Sequence, residues 1–494
     1  MVACGGSGSG GGGPTTGQVV VTLTDGPTDI YERMLVTITS MTLIGSGGQQ
    51  VLYDGPPVTF DLLQLRDRAD LAFSQRVTAG DFSKIRLELA GLTLMDLGDD
   101  PLNPIDDVVV VLDNLPANGK IDLNPQGPFT VTPGETTVIE LDMDARRSVQ
   151  VVENGNGGLK VRPVIFTNIY QGDVILPSRL VRVFGTVEAV NETAQTMKVC
   201  ETEFVAQLDG PAPVDPTSCI QIFANGASHF GTDGVAIPFA DIVTAFNASD
   251  SLKVTSIGFA SLPGTAAADD IVLELDAVVD ELGPRRDNTM AGWETTTGTV
   301  TSDPFTTGCA SSQCVDFLAS EAGADITVQL QAESRVFTRD GTELGQGDLS
   351  AGLAGAFDGL RVDNGGTEEL RASLFVAGPD AGDATVSGRL TAVDLDVPFG
   401  TNTFDILTVH ADGVEAVEVC VTADTDVLRI LTDGATVTIA DLLDPAVLDP
   451  EVLNPELLDP ADYLLIEASG AAIADPDDVC DIDAAVVIVE DPAA

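Results

Sequence analysis

Histidine, tryptophan and basic residues are scarce in this chain of 494 residues, which holds 2 His, 1 Trp and 23 Lys+Arg against 77 Asp+Glu, a formal net charge of −54. Each shortage excludes something. A surface this negative repels phosphate backbones and argues against a nucleic-acid partner. With His229 and His410 alone, a multi-His metal centre cannot be assembled. Aromatics at 5 % and the single Trp293 argue against a stacked sugar cleft. No apolar run approaches the ~18 residues of a spanning helix, and Val108 to Leu112 is strand-sized. Gly-x-Ser-x-Gly, His-Glu-x-x-His and phosphate-loop patterns are also missing. The apolar content of 44 % nevertheless exceeds that of a disordered chain.

What is present is short alternation. Ile85, Leu87 and Leu89 interleave with Arg86, Glu88 and Ala90, and the same period of two recurs at Ile139–Met143, Ile326–Leu330 and Val417–Val421. Period two puts one strand face on a core and the other in water. Asp-Gly, Asn-Gly and Pro-Gly steps break the runs, and no long helical period is found. The expectation is an all-β chain.

From about residue 180 an internal repeat runs three times. The copies open on Gly185-Thr186-Val187, Gly298-Thr299-Val300 and Gly388-Arg389-Leu390. An alternating strand ending in Ala224, Ala332 or Ala423 follows. Asp233-Gly234, Asp340-Gly341 and Asp433-Gly434 come next, with Asp241-Ile242, Asp348-Leu349 and Asp441-Leu442 eight residues after the first Asp. The repeated Asp241, Asp348 and Asp441 read as turn-fixing residues. The predicted organisation is a tether over 1–17, a first β module over 18–172, and repeat modules over 180–283, 294–378 and 383–491, built as sandwiches or barrels. The third module carries a period-five Leu-Asp-Pro insertion over 443–460.

Seven cysteines divide unevenly. Cys4 precedes Gly5-Gly6 and a Gly/Ser run to Pro14, a flexible tether. A Cys with small residues ahead and such a tether behind resembles the lipobox of a bacterial lipoprotein. The resemblance implies a diacylglyceryl thioether on Cys4, export, and anchorage to the bacterial membrane, at the outer membrane or cell surface. The charged and apolar stretches of a signal peptide would then lie upstream of Met1. The other six, Cys200, Cys219, Cys309, Cys314, Cys420 and Cys480, permit 15 pairings. One pair falls in each repeat, so Cys200 with Cys219, Cys309 with Cys314 and Cys420 with Cys480 is the simplest arrangement. Unpaired buried thiols are the alternative.

The first module carries Leu23-Thr24-Asp25-Gly26-Pro27, Asp61-Leu62-Leu63-Gln64-Leu65, Ala79-Gly80-Asp81-Phe82-Ser83-Lys84-Ile85-Arg86-Leu87, Leu141-Asp142-Met143-Asp144-Ala145 and Arg162-Pro163-Val164-Ile165. In that order they resemble domain-of-unknown-function family 4382, which implies a β-sandwich of an exported, lipid-anchored protein. Gly26 stands where that family has Ala. The Gly-Thr-Val openings and the Asp-Gly to Asp-Leu spacing are similar to the repeats of domain-of-unknown-function family 5666. That likeness implies barrels of the OB type and an extracytoplasmic location.

Carboxylate clusters are the remaining chemistry. Asp96, Asp99, Asp100, Asp106 and Asp107 share one loop, and Asp475, Asp477, Asp478, Asp481 and Asp483 surround Cys480. Either cluster offers oxygen ligands for Ca²⁺, the one candidate cofactor, though neither has the Asp-x-Asp-x-Asp-Gly spacing. Asp142-x-Asp144 ahead of Arg146-Arg147 reads as an internal ion pair. The expected function is a non-catalytic, lipid-anchored envelope lipoprotein that binds or scaffolds an envelope protein or glycan. A calcium-stabilised adhesin or matrix protein is the second reading, and a carboxylate-based hydrolase the third.

Overall fold

The computed structural model describes residues 15–24, 33–46, 48–65, 68–96, 108–112, 119–125, 127–143, 149–150, 160–161, 165–171, 180–203, 218–249, 251–263, 270–285, 292–306, 313–319, 325–338, 341–364, 367–377, 383–399, 402–410, 417–421, 426–430, 465–472, 480 and 482–490. They are almost entirely strand. The chain divides into two compact units, Met1–Gly378 and Pro379–Ala494.

The first unit begins with β1 (Thr16–Thr24), β2 (Arg33–Gly45), β3 (Gly48–Asp61), β4 (Ala69–Thr78), β5 (Gly80–Asp96) and β6 (Val108–Leu112). It continues with β7 (Lys120–Leu123), β8 (Phe129–Val131), β9 (Thr136–Met143), β10 (Val149–Gln150), β11 (Lys160–Val161) and β12 (Ile165–Tyr170). Two sheets face each other. One runs β12-β9-β1-β4; the other runs β3-β2-β5-β6, with β7 and β8 also on β5. Val19, Val21 and Leu23 of β1 meet Ile38, Met41, Phe60, Ile85 and Leu87 across the sandwich core.

Both faces of β1 are buried, which simple alternation does not foresee. Val20, Leu71 and Val138, on the outer face, join the core of the next module. The polar residues that read as solvent-facing sit in this seam. Gln18 Nε2 donates to Ser74 Oγ at 2.5 Å, and Ser74 and Ser218 hydroxyls lie 3.1 Å apart. Polar side chains survive there because they are hydrogen-bonded.

The next strands are β13 (Val181–Asn191), β14 (Thr196–Glu203), β15 (Cys219–Phe223), β16 (Ser228–Phe230), β17 (Ala236–Ile237), β18 (Lys253–Ser261) and β19 (Ile271–Leu282). β13 pairs β14, β14 pairs β15, β15 pairs β19 in parallel, β19 pairs β18, and β18 returns to β13. The ring is closed, and its order is that of an OB-type barrel. β13 also runs parallel to β4, so the sandwich sheet continues into the barrel. One helix, α1 (Phe239–Ala248), follows β17. Its Phe239, Ile242, Val243 and Phe246 recur at helical spacing and pack on the barrel core. At ten residues the segment is too short to stand out as a period in the sequence.

The second barrel repeats the circuit with β20 (Trp293–Val300), β21 (Gln313–Ala319), β22 (Asp325–Thr338), β23 (Glu343–Leu344), β24 (Ala354–Asn364) and β25 (Thr367–Ala377). β20-β21-β22-β25-β24 closes back on β20, with β22 and β25 parallel. A 3-10 turn at Gln346–Asp348 replaces the helix.

In the second unit, β26 (Asp383–Phe399), β27 (Asn402–His410), β28 (Val417–Val421), β29 (Asp426–Ile430), β30 (Leu465–Ala472) and β31 (Ile482–Glu490) trace the same ring. Here β28 and β31 are the parallel pair. The insertion at 443–460 lies outside the described residues.

The ring explains the repeated sequence. Each opening glycine sits where the first strand exchanges one neighbour for the other: Gly185, Gly298 and Gly388 lie at or beside the overlap of the two pairings. A Cβ on Gly298 would come within 2.0 Å of the Leu318 carbonyl oxygen. The repeated Asp-aliphatic step places Ile242 and Leu349, both fully buried, in their barrel cores. Asp348 Oδ2 accepts the Gly345 N–H at 2.8 Å, and Asp241 lies in the first turn of α1, where its charge complements the helix dipole. Asp233 Oδ1 accepts the Val235 N–H at 3.1 Å, with Gly234 at φ +73°. Asp340, Asp433 and Asp441 lie outside the described residues.

Candidate functional site

The first barrel carries a cleft of about 780 Å³ between β13, β14, β15 and the C-terminal end of α1. Its walls include Glu188, Glu201, Asp270, Asn247 and the Cys200–Cys219 disulfide. Cys200 and Cys219 are direct partners in the antiparallel β14–β15 ladder. Their Cα atoms are 4.3 Å apart, so the two sulfurs meet across the strands, at 2.07 Å. Glu201, next to Cys200, has a left-handed backbone at φ +47°. Its carboxylate accepts the Thr186 hydroxyl at 3.4 Å.

Charge gathers beside the disulfide. Lys198 Nζ lies 2.7 Å from Glu188 Oε2 and 2.6 Å from Asp270 Oδ2. The hydrogen bond to Asp270, then that to Glu188, raises the Lys198 ammonium above the usual lysine range. Glu188 Oε2 lies 3.1 Å from Cys200 Sγ, and Asp270 Oδ2 lies 3.9 Å from Cys219 Sγ. Among the described residues, Glu188, Cys200 and Cys219 are the group whose metal-type atoms converge, all within 4.8 Å of one another. While the disulfide holds, the sulfurs offer no thiolate.

His229 belongs to a chain of buried polar side chains. Its Nδ1 lies 3.0 Å from Asp280 Oδ2, and Ser256 Oγ donates to Asp280 Oδ1 at 2.5 Å, all three being buried. The order is His–Asp–Ser, with the carboxylate in the centre. A nucleophilic relay needs the hydroxyl on the imidazole; here it is spent on the carboxylate.

The third assembly joins three modules. Arg68 and Asp70 come from the sandwich, Arg182, Glu281 and Arg285 from the first barrel and its following turn, and Asp358 from the second barrel. Five of these six side chains are fully buried and Arg285 is nearly so. Arg182 holds Asp70 through Nε–Oδ1 at 2.7 Å and Nη2–Oδ2 at 2.8 Å. Asp358 receives Arg68, Arg285 Nη2 at 3.3 Å and the Thr295 hydroxyl at 2.7 Å. Glu281 takes Arg285 Nη1 at 3.2 Å and the Ser373 hydroxyl. Burial pushes Glu281 above the usual carboxylate range against the pull of Arg285. Burial, reinforced by Arg182, holds Arg285 down at about 10. Three guanidiniums against three carboxylates leave the cluster balanced, and balance is what permits its burial. Beside it, Phe230 and Trp293 meet edge to face, and Trp293 Nε1 donates to the Leu282 carbonyl at 2.8 Å.

The sites expected from sequence fall unevenly on this structure. Cys200 joins Cys219, Cys420 joins Cys480, and Cys314 is disulfide-bonded. Asp96 ends β5. Cys4, Cys309, Asp99, Asp100, Asp106, Asp107, Asp475, Asp477, Asp478, Asp144, Arg146 and Arg147 lie outside the described residues. His410 ends β27. The ion cluster and the carboxylates of the cleft are not foreseen by the sequence pattern. Their signal is thin: Arg182 stands between Val181 and Val183, and Asp358 between Phe357 and Gly359, where alternation assigns a charge to the wet face.

No curated protein matches this chain. Residues 16–163 match the family model described as a domain of unknown function (DUF4382), so it is the N-terminal sandwich that is similar to that family.

Proposed function

We propose that this protein is a non-catalytic scaffold of the bacterial cell envelope, tethered through a lipidated Cys4 and presenting an acidic surface to an envelope protein or glycan. The observation that carries the reading is the buried ion cluster. A binding scaffold needs its modules held in fixed relation, and Arg182–Asp70 with Asp358 holds the sandwich and two barrels together. The disulfides Cys200–Cys219 and Cys420–Cys480 suit an oxidising, extracytoplasmic compartment.

Fractionation of cells expressing the gene with its upstream region tests this. The expected result is membrane-associated protein with a diacylglyceryl thioether on Cys4, and release from the membrane in Cys4→Ser. Cytoplasmic protein with an unmodified Cys4 and alkylatable Cys200 and Cys219 would overturn it.

A further inference from the structure

Glu188, Cys200 and Cys219 already converge as a ligand set, and Asp270 lies 3.9 Å from the second sulfur. We propose that the cross-strand disulfide closes a metal site: once reduced, Cys200 and Cys219 with Glu188 bind a borderline-soft divalent cation such as Zn²⁺. The inference goes beyond the scaffold reading and does not depend on it.

The donor chemistry suits zinc, which takes thiolate and carboxylate oxygen in four-coordinate sites. In a tetrahedral site with Zn–S of about 2.3 Å, two sulfurs stand about 3.8 Å apart. Here Cα atoms 4.3 Å apart on adjacent strands keep the separated thiols on the same face of the sheet. Glu188 Oε2, at 3.1 Å from Cys200 Sγ, is near the spacing of neighbouring ligands in such a site. The fourth position opens on the cleft, within reach of Asp270 or water. Lys198 Nζ bridges the two carboxylates and balances only one of their two charges, so the place keeps a net negative charge.

The step balances with a dithiol as reductant. Its thiolate attacks the Cys200–Cys219 bond, a mixed disulfide forms, and its second thiol resolves it. The dithiol leaves as its own disulfide, and its two electrons and two protons reside as Cys200 Sγ–H and Cys219 Sγ–H. Binding of the cation then releases both protons to solvent.

The test uses the full chain, reduced with a dithiol, freed of reductant without oxygen, and titrated with Co²⁺ as a spectroscopic stand-in for Zn²⁺. The expected result is a thiolate-to-cobalt charge-transfer band in reduced protein, absent from oxidised protein and removed by excess Zn²⁺. Cys200→Ser/Cys219→Ser, which keeps the other cysteines, should lose the band. Glu188→Gln should keep its fold by circular dichroism and bind Co²⁺ at least tenfold more weakly. No band in the reduced chain, or a band of equal strength and affinity in both variants, would overturn the proposal. Should the double-serine chain fail to fold, Glu188→Gln decides alone, because thiolates of an unfolded segment are indifferent to Glu188.

Discussion

Arg182 and Asp70 form a two-pronged ion pair, with N···O distances of 2.7 and 2.8 Å and both side chains fully buried. The same two residues are backbone partners in the parallel β13–β4 ladder. Sandwich and first barrel are thus joined twice at one point, by main chain and by charge. Losing one member strands a buried charge, at a cost of about 3–5 kcal/mol. Arg182→Met is expected to lower the denaturant midpoint accordingly, and Asp70→Asn should do nearly as much. By contrast, Asp122→Asn removes a partner of Arg86 and Lys84 at a half-exposed site, so its effect should stay below about 1 kcal/mol. Equal effects at the two sites would contradict this ranking.

Glu281 supplies a pH dependence of definite sign. Its folded-state pKa is raised above the ordinary value of 4.5, with burial the main cause. A raised carboxylate binds its proton more tightly folded than unfolded. Its contribution to stability is therefore full below pH 4.5 and is lost as pH rises through the folded value. Thermal melts of wild type and Glu281→Gln across this window should diverge. Subtracting the variant should leave a wild-type component that falls with pH. A difference that rises with pH would refute the assignment.

The disulfides differ in the loop they close. Cys200 and Cys219 are 19 residues apart, Cys420 and Cys480 60. Chain entropy gives about 3 kcal/mol for the shorter loop and about 1 kcal/mol more for the longer. Serine replacement of the pair in the third barrel should thus cost more than replacement in the first, read by calorimetry of the full chain.

Gly298 tests the ring closure. A methyl group there would meet the Leu318 carbonyl oxygen at 2.0 Å, and one on Gly258 the Asp276 oxygen at 2.1 Å. Backbone on both sides cannot move without opening the ladder, so Gly298→Ala and Gly258→Ala should each cost about 1–3 kcal/mol. A methyl group on Gly347 would meet nothing within 4 Å, so Gly347→Ala serves as the control and should be near neutral.

Alternation, turn residues and the threefold repeat are local, and they were enough to specify an all-β chain with a first module ahead of three repeated ones; the sandwich and the OB-like barrels were implied by family resemblance. Even the function of the repeated glycine follows once a strand must serve two neighbours. Local pattern could not say that Gln18 and Val20 face a second module and not water, because alternation reports which residues share a face and not what covers it. Nor could it bring Arg68, Arg182 and Arg285 to Asp70, Glu281 and Asp358. Those six come from three modules, and the low dielectric that gives their charges meaning exists only once the modules have met. The cleft follows the same division. The pairings Cys200–Cys219 and Cys420–Cys480 were legible from the repeat, but Glu188 and Asp270 reach the sulfurs through strand pairing across 82 residues of chain, from Glu188 to Asp270.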